Sequence, residues 1–204
     1  DEYVVESSIG HIRDLTIKGN ATIKTLKATN GGTITLEEGK TLTLNNFSFG
    51  ASANKDAEYV IKGGTVKASY GFFQHGTYKL YSDFETGYMY YSYGSDITVY
   101  GTFHSQGKGD GLDYIRGKVT IAKGGKSIHD KSLWVGQPAN WGAMNATLIV
   151  EEGAYVQANS LNVYEGSSVQ IQAKNMVAGE VKEIVCNSLI VTGTLETLEN
   201  NNLK

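Results

Sequence analysis

Short runs in which apolar and polar residues alternate recur along the whole chain. In the clearest, residues 33–44, every second position is apolar on both sides of a Glu-Glu-Gly-Lys turn: Ile34, Leu36, Leu42 and Leu44. A period of two is typical of a strand with one buried face. Glycine allows such a turn a positive φ at little cost. We therefore predict a strand–turn–strand unit that directs these four side chains into a core.

Aliphatic runs that close on a glycine repeat along the sequence. The turn glycines lie at positions 19, 39, 63, 101, 124, 153 and 193, which indicates a period of about 20 to 24 residues. A unit of this length cannot bury its own apolar face, whereas stacked copies share one core. No long run shows convincing helical periodicity. We predict an all-β fold, a right-handed parallel β-helix (solenoid) of roughly eight coils. The alternative is an antiparallel β-sandwich, which would not require a repeat.

The composition limits the number of domains and the classes of partner that we expect. No linker-like stretch divides the 204 residues, so we predict one domain over residues 1–204. With 18 basic and 21 acidic residues, the chain lacks the basic surface that nucleic acid or an anionic membrane requires. Its apolar runs are too short to span a bilayer. We predict no nucleic-acid partner, no membrane insertion by this segment and no cofactor. Cys186, the single cysteine, is expected to be a small buried side chain.

Residues 33–44, Thr-Ile-Thr-Leu-Glu-Glu-Gly-Lys-Thr-Leu-Thr-Leu, resemble the coils of right-handed β-helix surface proteins, namely autotransporter passenger domains and related bacterial adhesins. The resemblance is one of periodicity and composition over residues 12–196. It implies a segment of a larger exported protein, located at the cell surface or outside the cell. It also implies adhesion to a host or environmental glycan or protein, without catalysis. Polysaccharide lyases and hydrolases of the β-helix class are similar in coil sequence, so a glycan-active enzyme is the alternative.

More than half of the aromatic residues lie between positions 70 and 103. Within residues 88–93, alternation places Tyr88 and Tyr90 on one face of a strand and Tyr91 and Tyr93 on the other. Tyrosine combines a flat apolar ring with a polar tip, which suits stacking on sugars and on protein surfaces. The rings could instead form a ladder that stabilises neighbouring coils. We take these four tyrosines as candidate ligand-binding residues.

Residues 134–144 interrupt the repeat and contain both tryptophans and the only proline. We interpret them as a loop leaving the solenoid wall, where binding residues tend to lie on a rigid scaffold. Trp141 therefore joins the candidate ligand-binding residues. Trp134 is expected to continue the preceding strand and to pack there.

Candidate chemistry is sparse. Residues 108–116 match the calcium-binding nonapeptide except that Lys108 replaces its first glycine, and a single copy cannot complete a calcium shell. We predict no metal site and expect Asp110 and Asp113 to be solvated residues of a glycine-rich loop. His129 and Asp130 form an isolated dipeptide that is expected in a turn. No nucleophile elbow or phosphate loop occurs, and we predict no catalytic residues.

Overall fold

The computed structural model describes residues 2–9, 13–91, 94–109, 112–142, 144–172 and 184–197, and this part of the chain is a parallel β-solenoid. Sheet A contains β1 (Glu2–Ile9), β3 (Asn20–Ala28), β5 (Thr41–Phe49), β7 (Thr65–Phe73), β9 (Asp83–Tyr91), β11 (Thr102–Ser105), β12 (Leu112–Ile115), β14 (Lys126–Val135), β16 (Tyr155–Val163) and β18 (Ile184–Val191). Sheet B contains β2 (Leu15–Ile17), β4 (Gly32–Leu36), β6 (Glu58–Lys62), β8 (Gly76–Leu80), β10 (Ser95–Val99), β13 (Lys118–Ile121), β15 (Thr147–Val150), β17 (Ser168–Ile171) and β19 (Thr194–Thr197). Two short 3-10 helices, Ser52–Asn54 and Ala139–Trp141, lie in connections.

Each coil contributes a strand to each sheet, so that β5 lies beside β3 and β6 beside β4. Across the described ranges the strands of both sheets pair in parallel, and each sheet has a path of nine strands. The described strands stack into a solenoid of about seven turns. This architecture confirms the predicted parallel solenoid of roughly eight coils, and it excludes the β-sandwich because that fold needs antiparallel neighbours. Within the same ranges, no helix has the length and apolar character needed to cross a membrane.

Alternating side chains build the core as predicted. Ile34, Leu36, Leu42 and Leu44 are all buried. In β5 the inward positions are Leu42 and Leu44, then Phe47 and Phe49, so two consecutive residues face outward between the pairs. This break in alternation lets one sheet A strand turn around the core. The longer strands of sheet A therefore supply two pairs of core residues per coil.

The turn glycines mark one corner of the solenoid. Those at positions 19, 39, 63, 101, 124 and 153 each follow a strand of sheet B, whereas Gly193 lies at the opposite corner, before β19. The spacing of 38 residues between Gly63 and Gly101 spans two coils, because the corner after β8 contains Tyr81 and Ser82 in place of a glycine. The Ser82 hydroxyl donates a hydrogen bond to the Gly63 carbonyl and ties these neighbouring corners together.

Equivalent inward positions stack from coil to coil. Phe47 and Gly71 are neighbours in one such column. A Cβ on Gly71 would lie 2.2 Å from the Phe47 ring, so the glycine leaves the space that the ring fills. The ring centroid of Phe47 lies 4.8 Å from that of Phe49 and 5.2 Å from that of Phe73. Part of the aromatic region predicted from the sequence is therefore core.

Inward positions are less buried in the last described coil. Leu189 and Val191 are in register with the core residues Leu161 and Val163 but are exposed. Cys186 is half-buried, against the expectation of a buried thiol, and partial burial still raises its pKa. A raised pKa disfavours the reactive thiolate.

Candidate functional site

Aromatic side chains cross several coils on the outer side of sheet A. We call this set the aromatic surface, and in the described part of the chain it comprises Tyr70, Phe72, Tyr88, Trp134, Trp141 and Tyr164, together with the buried ring of Tyr114, which contacts Trp134. Strand register sets Tyr70 beside Tyr88 and Tyr114 beside Trp134. The rings of Tyr70 and Tyr88 stack with centroids 5.6 Å apart and planes 10° apart. Contacts between rings on adjacent coils stabilise the sheet, as in the predicted ladder.

The loop after β14 presents Trp141 as expected. Its backbone is fixed by two hydrogen bonds from Gln137: the backbone N–H donates to the Met144 carbonyl at 3.2 Å, and the side-chain amide donates to the Trp141 carbonyl. The Trp141 side chain is 53% exposed. An exposed indole on a hydrogen-bonded loop loses little conformational freedom when a ligand stacks on it.

The ring of Trp134 packs against the exposed indole of Trp141. Trp134 lies in β14, which confirms that it continues the strand, and its ring centroid is 5.4 Å from that of Trp141. The Trp134 ring also contacts Tyr114 at 5.4 Å and Tyr164 at 5.0 Å. The Arg116 guanidinium carbon lies 4.8 Å from the centroid of the Tyr114 ring, a cation–π distance. Burial lowers the pKa of Arg116.

The structure brings Tyr88 and Trp141, two of the five predicted ligand-binding residues, onto the aromatic surface. Tyr88 is half-buried because Tyr70 covers one side of its ring. The Tyr70 ring also contacts that of Phe72, with centroids 4.6 Å apart. Sequence reasoning therefore found members of the surface but not Trp134, Tyr114 or Tyr164, which lie close only after the coils stack.

Of the other three candidates, two are placed by backbone register alone. Tyr90 pairs with Phe72 of the outer surface, whereas Tyr91 pairs with Phe73 of the core. This register agrees with the predicted alternation between two faces. The side chains of Tyr90 and Tyr91, and the whole of Tyr93, lie outside the described residues. Their role in binding stays a prediction.

A second cluster lies inside the solenoid. We call Ser105, Asp113, Ser127 and His129 the buried polar cluster, since each side chain is almost completely buried. His129 Nδ1 lies 2.7 Å from Asp113 Oδ2, and His129 Nε2 lies 2.8 Å from the Ser127 hydroxyl. The Ser105 hydroxyl donates to Asp113 Oδ1 at 2.9 Å. Each polar group in the cluster therefore has a partner, as burial requires.

Ser127, His129 and Asp113 have the connectivity of a nucleophile, a base and an orienting carboxylate. The same strand register that joins them also turns them inward: His129 pairs with Ala158 of the core, and Asp113 pairs with Leu133. Ser127 is 2% exposed and His129 1%, so in this structure the cluster is closed to a substrate outside the solenoid. In this structure the cluster is part of the core, where fully paired polar groups specify a single packing arrangement.

Two expectations from the sequence are wrong here. His129 and Asp130 lie within β14 and not in a turn, and Asp113 is a buried residue of β12 and not a solvated loop residue. Asp110 lies outside the described residues. A signal was present, because Ser127 and His129 are two positions apart and so share one face of a strand. Their partner Asp113 is 16 residues from His129, beyond any local pattern.

On the outer side, His104 Nε2 lies 2.9 Å from Asp130 Oδ1, and both side chains are partly exposed. Among the residues that the structure describes, no group of three or more histidine, cysteine, aspartate or glutamate side chains is placed to hold a metal ion. Comparisons with protein-family models, with curated proteins and with solved structures found no match to this chain.

Proposed function

We propose that this protein is a non-catalytic, surface-displayed β-solenoid, adhesin-like, which binds a glycan or a protein through the aromatic surface. The observation that carries the proposal is Trp141, an exposed indole packed on Trp134, which Tyr114 and Tyr164 hold in place. Large rings that are already fixed before binding contribute contact area at low entropic cost. A few such aromatic anchors usually dominate the affinity of an interface.

The shape of the surface favours an extended partner. Its rings come from successive coils between β7 and the end of β16. Neighbouring strands lie about 4.8 Å apart, so these rings extend over roughly 20 Å along the solenoid. That length fits several units of an oligosaccharide or one segment of a protein surface. We also propose that the protein is displayed outside the cell, because the resemblance to β-helix surface proteins implies this location.

Binding can be tested with the purified chain on a glycan array and on immobilised host-cell surfaces. Trp141→Ala should reduce retention on the surface that the native chain binds, with no change in thermal unfolding. Tyr155→Ala is the matched control, because Tyr155 bonds to Gln157 at a distance from the aromatic surface along sheet A. Equal retention of the native chain and Trp141→Ala would refute a role for this indole.

A glycan-active enzyme remains the second candidate, and the partly exposed pair His104 and Asp130 is the observation that favours it. A histidine paired with a carboxylate can act as a general base. In that case, incubation with polysaccharides should release new sugar ends, and His104→Ala should abolish the release. Persistent binding without any release supports adhesion.

A further inference from the structure

A groove of about 570 Å³ lies at the corner where the chain passes from sheet B to sheet A. We call it the corner groove. The residues that matter below are Glu38, Lys62, Gly63, Gly64, Tyr81 and Asp83. None of them belongs to the aromatic surface, so a ligand in the corner groove is independent of the function proposed above.

Two consecutive glycines are among the residues that line the corner groove. Gly63 and Gly64 have φ angles of 73° and 45°, in the left-handed region that favours glycine. A Cβ on Gly63 would lie 2.0 Å from the Leu36 carbonyl oxygen, and one on Gly64 would lie 2.4 Å from that of Lys40. Because no side chain fits at either position, these glycines let the corners of neighbouring coils pack closely, and no side chain from them projects at this corner.

One wall of the groove is an aromatic ring in a fixed position. Tyr81 and Tyr100 stack with ring centroids 4.4 Å apart and planes 8° apart, although they are 47% and 39% exposed. Tyr81 borders the groove and Tyr100 does not. The Tyr100 ring therefore covers one face of Tyr81 and leaves the other side toward the groove. Strand β6 pairs with β8, so Lys62 at the end of β6 lies one coil before Tyr81, which follows β8. Both residues therefore lie at the same corner.

Charged residues line the same groove. The side chains of Glu38, Lys62 and Asp83 border the groove. The Thr102 N–H donates to Asp83 Oδ1 at 2.8 Å, which holds this carboxylate in place. Two carboxylates and one ammonium offer both acceptors and donors to hydroxyl groups. Together these three side chains carry a net negative charge, which disfavours an anionic ligand.

We propose that the corner groove binds one pyranose unit of a neutral oligosaccharide. The apolar face of the sugar ring stacks on Tyr81, and its hydroxyls bond to Glu38, Asp83 and Lys62. A flat aromatic ring beside a few polar groups that line one groove is the recurring composition of small-ligand sites. The negative balance of the groove selects a neutral sugar over a uronate.

The test is titration calorimetry of the full chain with maltohexaose, cellohexaose and mannohexaose as neutral probes and hexagalacturonate as the anionic probe. At least one neutral probe should bind, and hexagalacturonate should bind about tenfold more weakly or not at all. Tyr81→Ala should weaken binding about tenfold, and Tyr81→Phe, which keeps the ring, should retain it. Trp141→Ala should leave this binding unchanged, which separates the corner groove from the aromatic surface.

Failure of all three neutral probes to bind would overturn the proposal, as would equal or tighter binding of hexagalacturonate. Unchanged affinity in Tyr81→Ala would also overturn it. Should Tyr81→Ala fail to fold, Glu38→Ala provides the second variant, because Glu38 is an exposed turn residue. It should weaken neutral-sugar binding about fivefold with unaltered thermal unfolding. Native affinity in that variant would contradict the assigned contacts.

Discussion

The imidazole Nδ1 of His129 lies 2.7 Å from the carboxylate of Asp113, inside a core lined mostly by apolar side chains. Taking a charged or polar pair out of water is costly, and the cost is offset only when every group keeps a partner. The Ser105 hydroxyl donates to the Asp113 carboxylate, and the Ser127 hydroxyl bonds to His129 Nε2. The pair is therefore stable only as a set of four, and removing one member is worse than removing all.

Asp113→Leu alone should lower the free energy of unfolding by about 3–5 kcal/mol, because it leaves the His129 ring without its carboxylate. Replacing the whole cluster should be neutral or stabilising. The combined variant carries Ser105→Ala, Asp113→Leu, Ser127→Val and His129→Leu, residue types already present in the same core columns. Urea denaturation measures both. A combined variant as unstable as the single one would contradict this account.

Core truncation tests the inward face of the first coils. Leu36→Ala and Leu42→Ala should each lower the free energy of unfolding by about 2–5 kcal/mol, because both side chains are buried between stacked coils. Thr43→Ala is the control, since Thr43 is exposed on the outer side of β5 and should change stability by less than about 0.5 kcal/mol. Equal losses in all three variants would contradict the assignment of faces.

A smaller side chain at position 47 should offset part of the stability lost by a larger one at position 71. Gly71→Ala puts a methyl group 2.2 Å from the Phe47 ring and should cost about 1–3 kcal/mol by overpacking. Adding Phe47→Leu to Gly71→Ala should recover part of this loss, with an interaction energy of about 0.5–3 kcal/mol in a double-mutant cycle. Strict additivity of the two losses would show that the ring and the glycine are not coupled.

The sequence was sufficient to predict the solenoid because its signals are local. Alternation in residues 33–44 predicted four core side chains correctly, and the recurring turn glycines revealed stacked coils before any contact was known. One coil was hidden by the 38-residue spacing from Gly63 to Gly101, since Tyr81 and Ser82 form that corner without glycine. Even there, the doubled spacing indicated the missing coil.

The sites depend on stacking and could be predicted only in part. Tyr88 and Trp141 were found from composition, but the rings that support Trp141 come from strands on either side of its own coil. Glycines beside Asp113 and the isolated polar pair His129-Asp130 are typical of loops and turns, so both residues were wrongly expected outside the strands. Their burial requires partners on other coils, which periodicity does not reveal.

The buried hydroxyl of Tyr78 should make the free energy of unfolding decrease at alkaline pH. The Tyr78 ring is fully buried and its hydroxyl donates to the Gln74 carbonyl at 2.9 Å, and burial raises its pKa above the ordinary value of 10.0. In the unfolded chain Tyr78 loses its proton first, so the free energy of unfolding should fall as the pH rises above about 10. Urea denaturation between pH 8 and pH 11 measures this.

Tyr78→Phe separates the titration from the packing. At neutral pH it should lose about 0.5–1.5 kcal/mol with the hydrogen bond to Gln74. Above pH 10 its stability should decline less steeply than that of the native chain, because one raised pKa is gone. Parallel pH profiles for the two proteins would show that Tyr78 does not contribute to the alkaline loss.

Paired tyrosine variants distinguish a binding surface from a purely structural ladder. Replacing Tyr88 and Tyr90 by alanine should weaken binding by more than about 1 kcal/mol per ring that contacts the ligand, with little loss of thermal stability. The reason is position: Tyr88 lies on the aromatic surface, and Tyr90 pairs with Phe72 of that surface. Replacing Tyr91 and Tyr93 should instead lower thermal stability, because Tyr91 is in register with the buried Phe73. If both pairs lower stability and neither affects retention on the glycan array, these rings serve only to hold adjacent coils together, and contact is made elsewhere.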